Sequence, residues 1–141
     1  MRPGRPPNII LEPGTYTAPD GAIGFVLPIA LVSEANAHEH WRKRQKRAKS
    51  QRGLTTFWLR AYRRSPPQVP LVVTIVRVAP REVDSDNLVG SAKHVRDGVA
   101  DYLGVNDRSK DVVWVVRQEK GPPRTYGTKV EIRAWDREKE A

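Results

Sequence analysis

The chain has 141 residues, with 25 Lys or Arg against 16 Asp or Glu, a formal charge of +9 and no cysteine. That length suits one domain able to bury a core without staples, and the missing cysteines exclude disulfides, Cys-zinc sites and thiol chemistry. A sequence pI near 10.3 points to a polyanionic partner, of which nucleic acid is the commonest.

Residues 1–22 carry five prolines and three glycines and read as an irregular leader. Its charged start has no apolar run behind it, so no signal peptide is expected. Ile23–Val32 is apolar but broken by Pro28, which predicts an edge or bulged strand. Ser33 then serves as a helix N-cap, and the chain reads as helical from Glu34 to Tyr62, with few apolar positions and Gly53 as a candidate kink. Ser65-Pro66-Pro67 ends that helix. Val69–Ala79 is rich in β-branched residues, interrupted only by Arg77, and predicts the strongest strand.

After a charged connection, Leu88, Ala92, Val95, Val99 and Leu103 recur at steps of three and four. They predict an amphipathic helix over Asn87–Leu103, stopped by Gly104 at the C′ position. Asp111–Gln118 and Gly127–Trp135 follow as strands, joined as a hairpin by the loop Glu119–Tyr126. Residues 136–141 read as a solvated tail. The order β-α-β-α-β-β implies an α+β domain over residues 23–135, with a single mixed sheet and two helices. The longest apolar stretches are too short for a helix to span a bilayer, so no membrane partner is expected.

Two features carry chemistry. Asp84-Ser85-Asp86-Asn87 lies where a buried strand gives way to a helix. In an extended segment two such carboxylates share a side, repel one another and call for a cation. Mg²⁺ or Mn²⁺ suits them, because either binds one or two carboxylates together with waters and phosphate oxygens. Such an ion activates water and neutralises charge on a breaking phosphodiester. The plainer reading is a pair of loop acids, with Asp86 capping the helix. The second feature spans residues 38–64, where ten Lys or Arg (42, 43, 44, 46, 47, 49, 52, 60, 63 and 64) stand against one acid, Glu39. That surplus of nine equals the charge of the whole chain. Repulsion at i,i+4, as in Arg42/Lys46 and Lys43/Arg47, costs stability unless a polyanion relieves it. Arg42, Lys43, Arg44, Lys46, Arg47, Lys49 and Arg52 are therefore the candidate DNA-contacting residues, through backbone phosphates. His38 and His40 lack the i,i+4 spacing of a zinc pair. No phosphate-binding glycine loop, nucleotide fingerprint or Ser-His-Asp set is present, so no nucleotide cofactor is expected.

Asp84-Ser-Asp86-Asn87-Leu88, Lys93, Asp97-Gly98 and Leu103-Gly104-Val105-Asn106-Asp107 together resemble the signature of the RusA family of Holliday-junction resolvases. Leu31-Val-Ser33-Glu-Ala-Asn36 and His40-Trp41-Arg42 resemble that family's passage from first strand to first helix, so the likeness covers residues 24–135. The resemblance implies a Mg²⁺- or Mn²⁺-dependent endonuclease that cuts four-way DNA junctions in recombination and repair. It further implies a homodimer and a cytoplasmic, phage or prophage setting. Its metal-binding acids fall on Asp84, Asp86 and Asp107 and its essential lysine on Lys93, with Asn87, Asn106 and Asp97 in supporting places. Two departures stand out. The best-known bacterial form has its lysine three residues after the motif asparagine, where this chain has Gly90; Lys93 comes at six, as if three residues were inserted. Asn106 stands where the family often has the first Asp of a pair. Lys93 also admits reading as a solvated helix lysine, and Asp97 and Asp101 as a solvated face or partners of Arg96. Two rival functions are a structure-specific nucleic-acid binder without catalysis and a basic ribosome-associated protein.

Overall fold

A computed structural model of the chain describes residue 4, residues 6–32 and residues 40–140. The elements are β1 (Ile9–Ile10), β2 (Gly14–Thr17), β3 (Ile23–Leu27), α1 (Trp41–Tyr62), β4 (Leu71–Ala79), α2 (Ser85–Ser91), α3 (Lys93–Leu103), β5 (Val112–Lys120) and β6 (Thr125–Ala134). The strands make one mixed six-stranded sheet in the order β2-β3-β6-β4-β5, with β1 added in parallel to the start of β6. The α+β class holds. The helix expected to begin at Glu34 is described from Trp41, with Ser33 and residues 34–39 outside the described residues.

Near-continuous burial along β4 is what a central strand covered on both faces requires. Leu71, Val73 and Ile75 point into the main core with Phe25, Leu27, Leu59, Val95, Val99, Tyr102, Val130 and Ile132. The alternate residues of β4 meet the other face of the sheet. There Tyr16 lies across Gly24, where a Cβ would come within 2.3 Å of its ring, and its hydroxyl donates to Glu131 at 2.5 Å. Arg117 bridges Glu131 and Glu119, and Lys129 pairs with Glu119, so long charged side chains roof that face. Burial and then the Glu131 carboxylate both push the Tyr16 hydroxyl pKa upward.

Four expectations need correction. The leader is not wholly irregular: β1 and β2 lie within residues 1–22 and complete the sheet. β3 is no edge strand, because β2 and β6 flank it, and it ends before Pro28. β5 and β6 do not form a hairpin. β4 sits between them, parallel to β5 and antiparallel to β6, and residues 121–124 carry the chain over its end. The Gly121 N–H donates to the Ala79 carbonyl at 2.8 Å to fix that crossing. Lastly, the helix over Asn87–Leu103 is two helices. Ala92 (φ −90°, ψ −5°) separates α2 from α3. The final residues also fold back, since Arg133 pairs with Glu140 and Arg137 with Asp111.

α1 is unbroken through Gly53 and packs on α3. The contact is close because Gly98 has no side chain: a Cβ there would lie 2.6 Å from the Arg52 carbonyl oxygen and 2.7 Å from Thr55 Cβ. The Thr56 hydroxyl donates to the Gly98 carbonyl at 3.0 Å across the same contact. Gly90 in α2, by contrast, has open space around it. Gly98→Ala is expected to destabilise the fold by about 1–3 kcal/mol through overpacking, despite the helix propensity gained. Gly90→Ala is expected to stabilise it by roughly 0.5–1 kcal/mol. Urea denaturation of the two variants checks the pair, and equal effects would contradict the close contact.

Candidate functional site

Asp84 is the N-cap of α2. Its Oδ1 accepts from the Asn87 backbone N–H at 2.8 Å, and its Oδ2 from Asn87 Nδ2 at 3.0 Å. Asn87 therefore braces the acidic turn, and the capping residue is Asp84, not Asp86. Because Asp84 starts the helix at Ser85, Asp86 sits inside the first turn, and the alternation expected of an extended segment does not apply. Both aspartates are exposed, and among the described residues no hydrogen bond or ion pair engages the Asp86 carboxylate. The turn is pinned to the sheet from behind: the Gln118 side chain accepts from the Val83 N–H and donates to its carbonyl, at 3.0 and 2.8 Å. Lys93 is exposed at the first residue of α3.

Asp107 belongs to a later segment. β4 and β5 run parallel, so the crossover through α2 and α3 must return the chain from the finish of β4 to the start of β5. Asp84 and Asp86 stay at the finish. Asp107 comes after α3 and shortly before Asp111, whose carbonyl accepts from the N–H of Leu71 at the beginning of β4. The chain after α3 folds back along that helix, since Arg96, one turn into it, reaches the Asp107 carbonyl. Among the described residues no group of three or more His, Asp or Glu side chains is placed to hold a metal. What the chain offers a hard divalent ion is the Asp84/Asp86 pair. Mg²⁺ is commonly held by one or two carboxylates, with waters filling the rest, and each Asp84 oxygen retains a free lone pair after its one hydrogen bond.

The company Asp107 keeps is different. Arg52, Asp97, Ala100, Asp101, Val105, Asn106 and Asp107 line one shallow hollow. Asn106 Oδ1 accepts from the Arg108 N–H at 2.9 Å and so turns the loop. Arg96 reaches the Asp107 carbonyl at 3.0 Å while its guanidinium lies 4.8 Å from the Trp114 ring centroid. Arg96 and Trp114 are the positioning residues that sequence reading missed, although an Arg one turn into a helix followed by a strand Trp was visible.

Asp101 pairs with Arg52, not with Arg96, through Nε at 2.6 Å and Nη2 at 2.8 Å. Those hydrogen bonds hold the Asp101 carboxyl below the usual carboxylate range and raise the Arg52 pKa. Arg52 is thus compensated within the protein, unlike its expected role beside the other basic residues. The earlier turns of α1 bury no side chain, the buried positions being Gln51, Thr55 and Leu59. Gln51 Nε2 donates to the Ala30 carbonyl at 3.2 Å, and the neighbouring Ile29 carbonyl accepts from Thr128, which pairs alongside Arg77 near the finish of β4. Arg52, next to Gln51, lines the hollow that also holds Asp107, so the basic half of α1 enters the fold between Ala30 and that hollow.

No known protein family, curated protein or solved structure matches the chain. Among the described residues no helix is long and apolar enough to cross a membrane.

Arg52→Ala is expected to return the Asp101 carboxyl upward to the ordinary carboxylate range, near 4. Because the native value is depressed, the small stability from this pair is present above that range and lost as pH falls through the native pKa. Carboxyl NMR titration checks it; an unmoved Asp101 would show that Arg52 does not set it.

Proposed function

We propose that the protein is a divalent-metal-dependent endonuclease that cuts branched DNA, in line with the resemblance to the RusA family and its four-way junctions. The observation that carries the reading is an exposed Asp84/Asp86 pair, braced by Asn87, in a chain whose basic helix α1 buries no side chain before Gln51. Arg42, Lys43, Arg44, Lys46, Arg47 and Lys49 lie in the part of α1 that buries no side chain, and their mutual repulsion is relieved by backbone phosphates. Contacts of this kind fix the duplex in place and do not read its sequence. Asp84 and Asp86 would hold Mg²⁺ or Mn²⁺, with Asn87 keeping Asp84 oriented. A divalent ion there supplies positive charge and an activated water to a phosphodiester. Lys93, exposed at the start of α3, neutralises a phosphate oxygen beside them.

A four-way junction is nearly two-fold symmetric, and paired nicks call for two sites related by a two-fold axis. The working form is therefore proposed to be a homodimer.

The second reading is a structure-specific DNA binder without catalysis. It is favoured by Asn106, which stands where the resembled family often has an acid. A nicking assay on a synthetic four-way junction separates the two. The nuclease reading expects Mg²⁺-dependent, symmetric cuts, stopped by chelation and reduced at least about 100-fold in Asp86→Asn, with junction binding retained. Tight binding with no cut by the unaltered protein, in Mg²⁺ or Mn²⁺, would leave the binder. An equal loss in Asp107→Asn would indicate that Asp107 belongs to the same site.

A further inference from the structure

At the finish of β4 the sheet register gathers cations that are far apart in the chain. Ala79 is paired with Lys120, and the Val78–Gly127 pairing brings Tyr126 to its other side. Arg77, two residues earlier, shares that face. Arg77 Nη1 donates to the Arg81 carbonyl at 2.8 Å, which folds the chain leaving β4 back over the strand end. From the opposite side residues 121–124 cross the same end. There Arg124 takes a left-handed backbone (φ 62°) and its Nη1 donates to the Pro7 carbonyl at 3.1 Å. The result is a hollow of about 810 Å³ walled by Arg77, Arg81, Lys120, Arg124 and Tyr126, with prolines at its rim.

No Asp or Glu lines this hollow, and among the described residues no carboxylate pairs with any of its four cations. Several other arginines are paired. Arg52 has Asp101, Arg117 has Glu119 and Glu131, Arg133 has Asp20 and Glu140, and Arg137 has Asp111. Arg77 is also partly withdrawn from water. Its Nε is buried with no hydrogen-bond partner among the described residues, and burial lowers its pKa. A partly desolvated guanidinium ringed by three more cations is costly unless an anion offsets their charge. A phosphate group fits, since its oxygens accept several donors at once and match the planar fork of Arg. The acid pair belongs to the same end of the sheet, through Val83 on Gln118.

We propose that this hollow is a second nucleic-acid contact, which takes a backbone phosphate of a DNA strand onto Arg77, Arg81, Lys120 and Arg124. The inference rests on the DNA reading above and adds to it an anchor away from α1. It assigns function to residues whose charges disappear in the chain's totals, because acids elsewhere balance them.

The test is the salt dependence of junction binding, measured by fluorescence anisotropy in EDTA so that cutting is silent. The parent is compared with Arg81→Gln/Lys120→Gln, both exposed positions, and with Lys110→Gln/Lys139→Gln as a control of equal charge. Thermal unfolding of each confirms the fold. Loss of this one phosphate contact is expected to lower the slope of log K against log[salt] by about 0.9, with weaker binding to junctions of any sequence and no change in the control. An unchanged slope overturns the proposal. So does saturable binding of inorganic phosphate by the parent, lost in the double variant, alongside an unaltered DNA slope, since the hollow would then serve small phosphate anions. A lowered slope in a protein that never cuts would refute the nuclease reading and keep this site. Cutting with an unchanged slope would do the opposite, and a parent that binds no DNA would refute both.

Discussion

The parallel pairing of β4 with β5 is the constraint from which the layout of the molecule follows. Two parallel neighbours cannot be joined by a tight turn, so the chain must leave one end of the pair and return at the other. Here α2 and α3 make that return. Whatever precedes the crossover stays at the finish of β4, and whatever follows it lands at the start of β5. The acids are divided accordingly. Asp84 and Asp86 precede the crossover, whereas Asp107 follows it and is held by Arg96 of α3.

The second constraint is the close contact of α1 with α3 at Gly98. Because nothing stands between the helices there, Thr55 and Leu59 of α1 reach the core while Arg52 reaches Asp101. The buried side chains of α1 are Gln51, Thr55 and Leu59, and the turns before them carry a run of like charges that suits a polyanion alongside. The two basic regions differ in kind. α1 presents a solvated row able to follow a phosphate backbone, whereas the hollow beside Ala79 gathers Arg77, Arg81, Lys120 and Arg124 around one point.

Much of this was legible from residue patterns. The β-branched run before Ala79 marked a central strand, the spacing of Val95 and Val99 marked an inward helix face, and Gly104 ended that helix in the left-handed conformation expected of a C′ glycine. Pairing between distant strands was not legible. Gly121-Pro122-Pro123 signals a turn equally well for a hairpin and for a crossing over β4, and only the long-range register decides. β1 and β2 were hidden because they are short and set among prolines and glycines, and their order comes from the edges of β6 and β3. The acidic turn was found by its spacing, but its geometry was misjudged, since Asp84 caps a helix and the segment is not extended. The basic hollow was invisible because its four cations, at positions 77, 81, 120 and 124, meet only through sheet register. The lone charge interrupting the apolar run of β4, Arg77, was its one local sign.

The central claim is that a divalent cation is held at the β4 finish, by Asp84 and Asp86, in front of a basic surface. The most direct measurement is the broadening of backbone amide NMR signals on titration with Mn²⁺ in the absence of DNA. The account predicts that signals of residues 84–88 broaden first and that Asp86→Asn abolishes this. Broadening centred on residues 105–108, or none at either end at concentrations that saturate an ordinary two-carboxylate site, would contradict it.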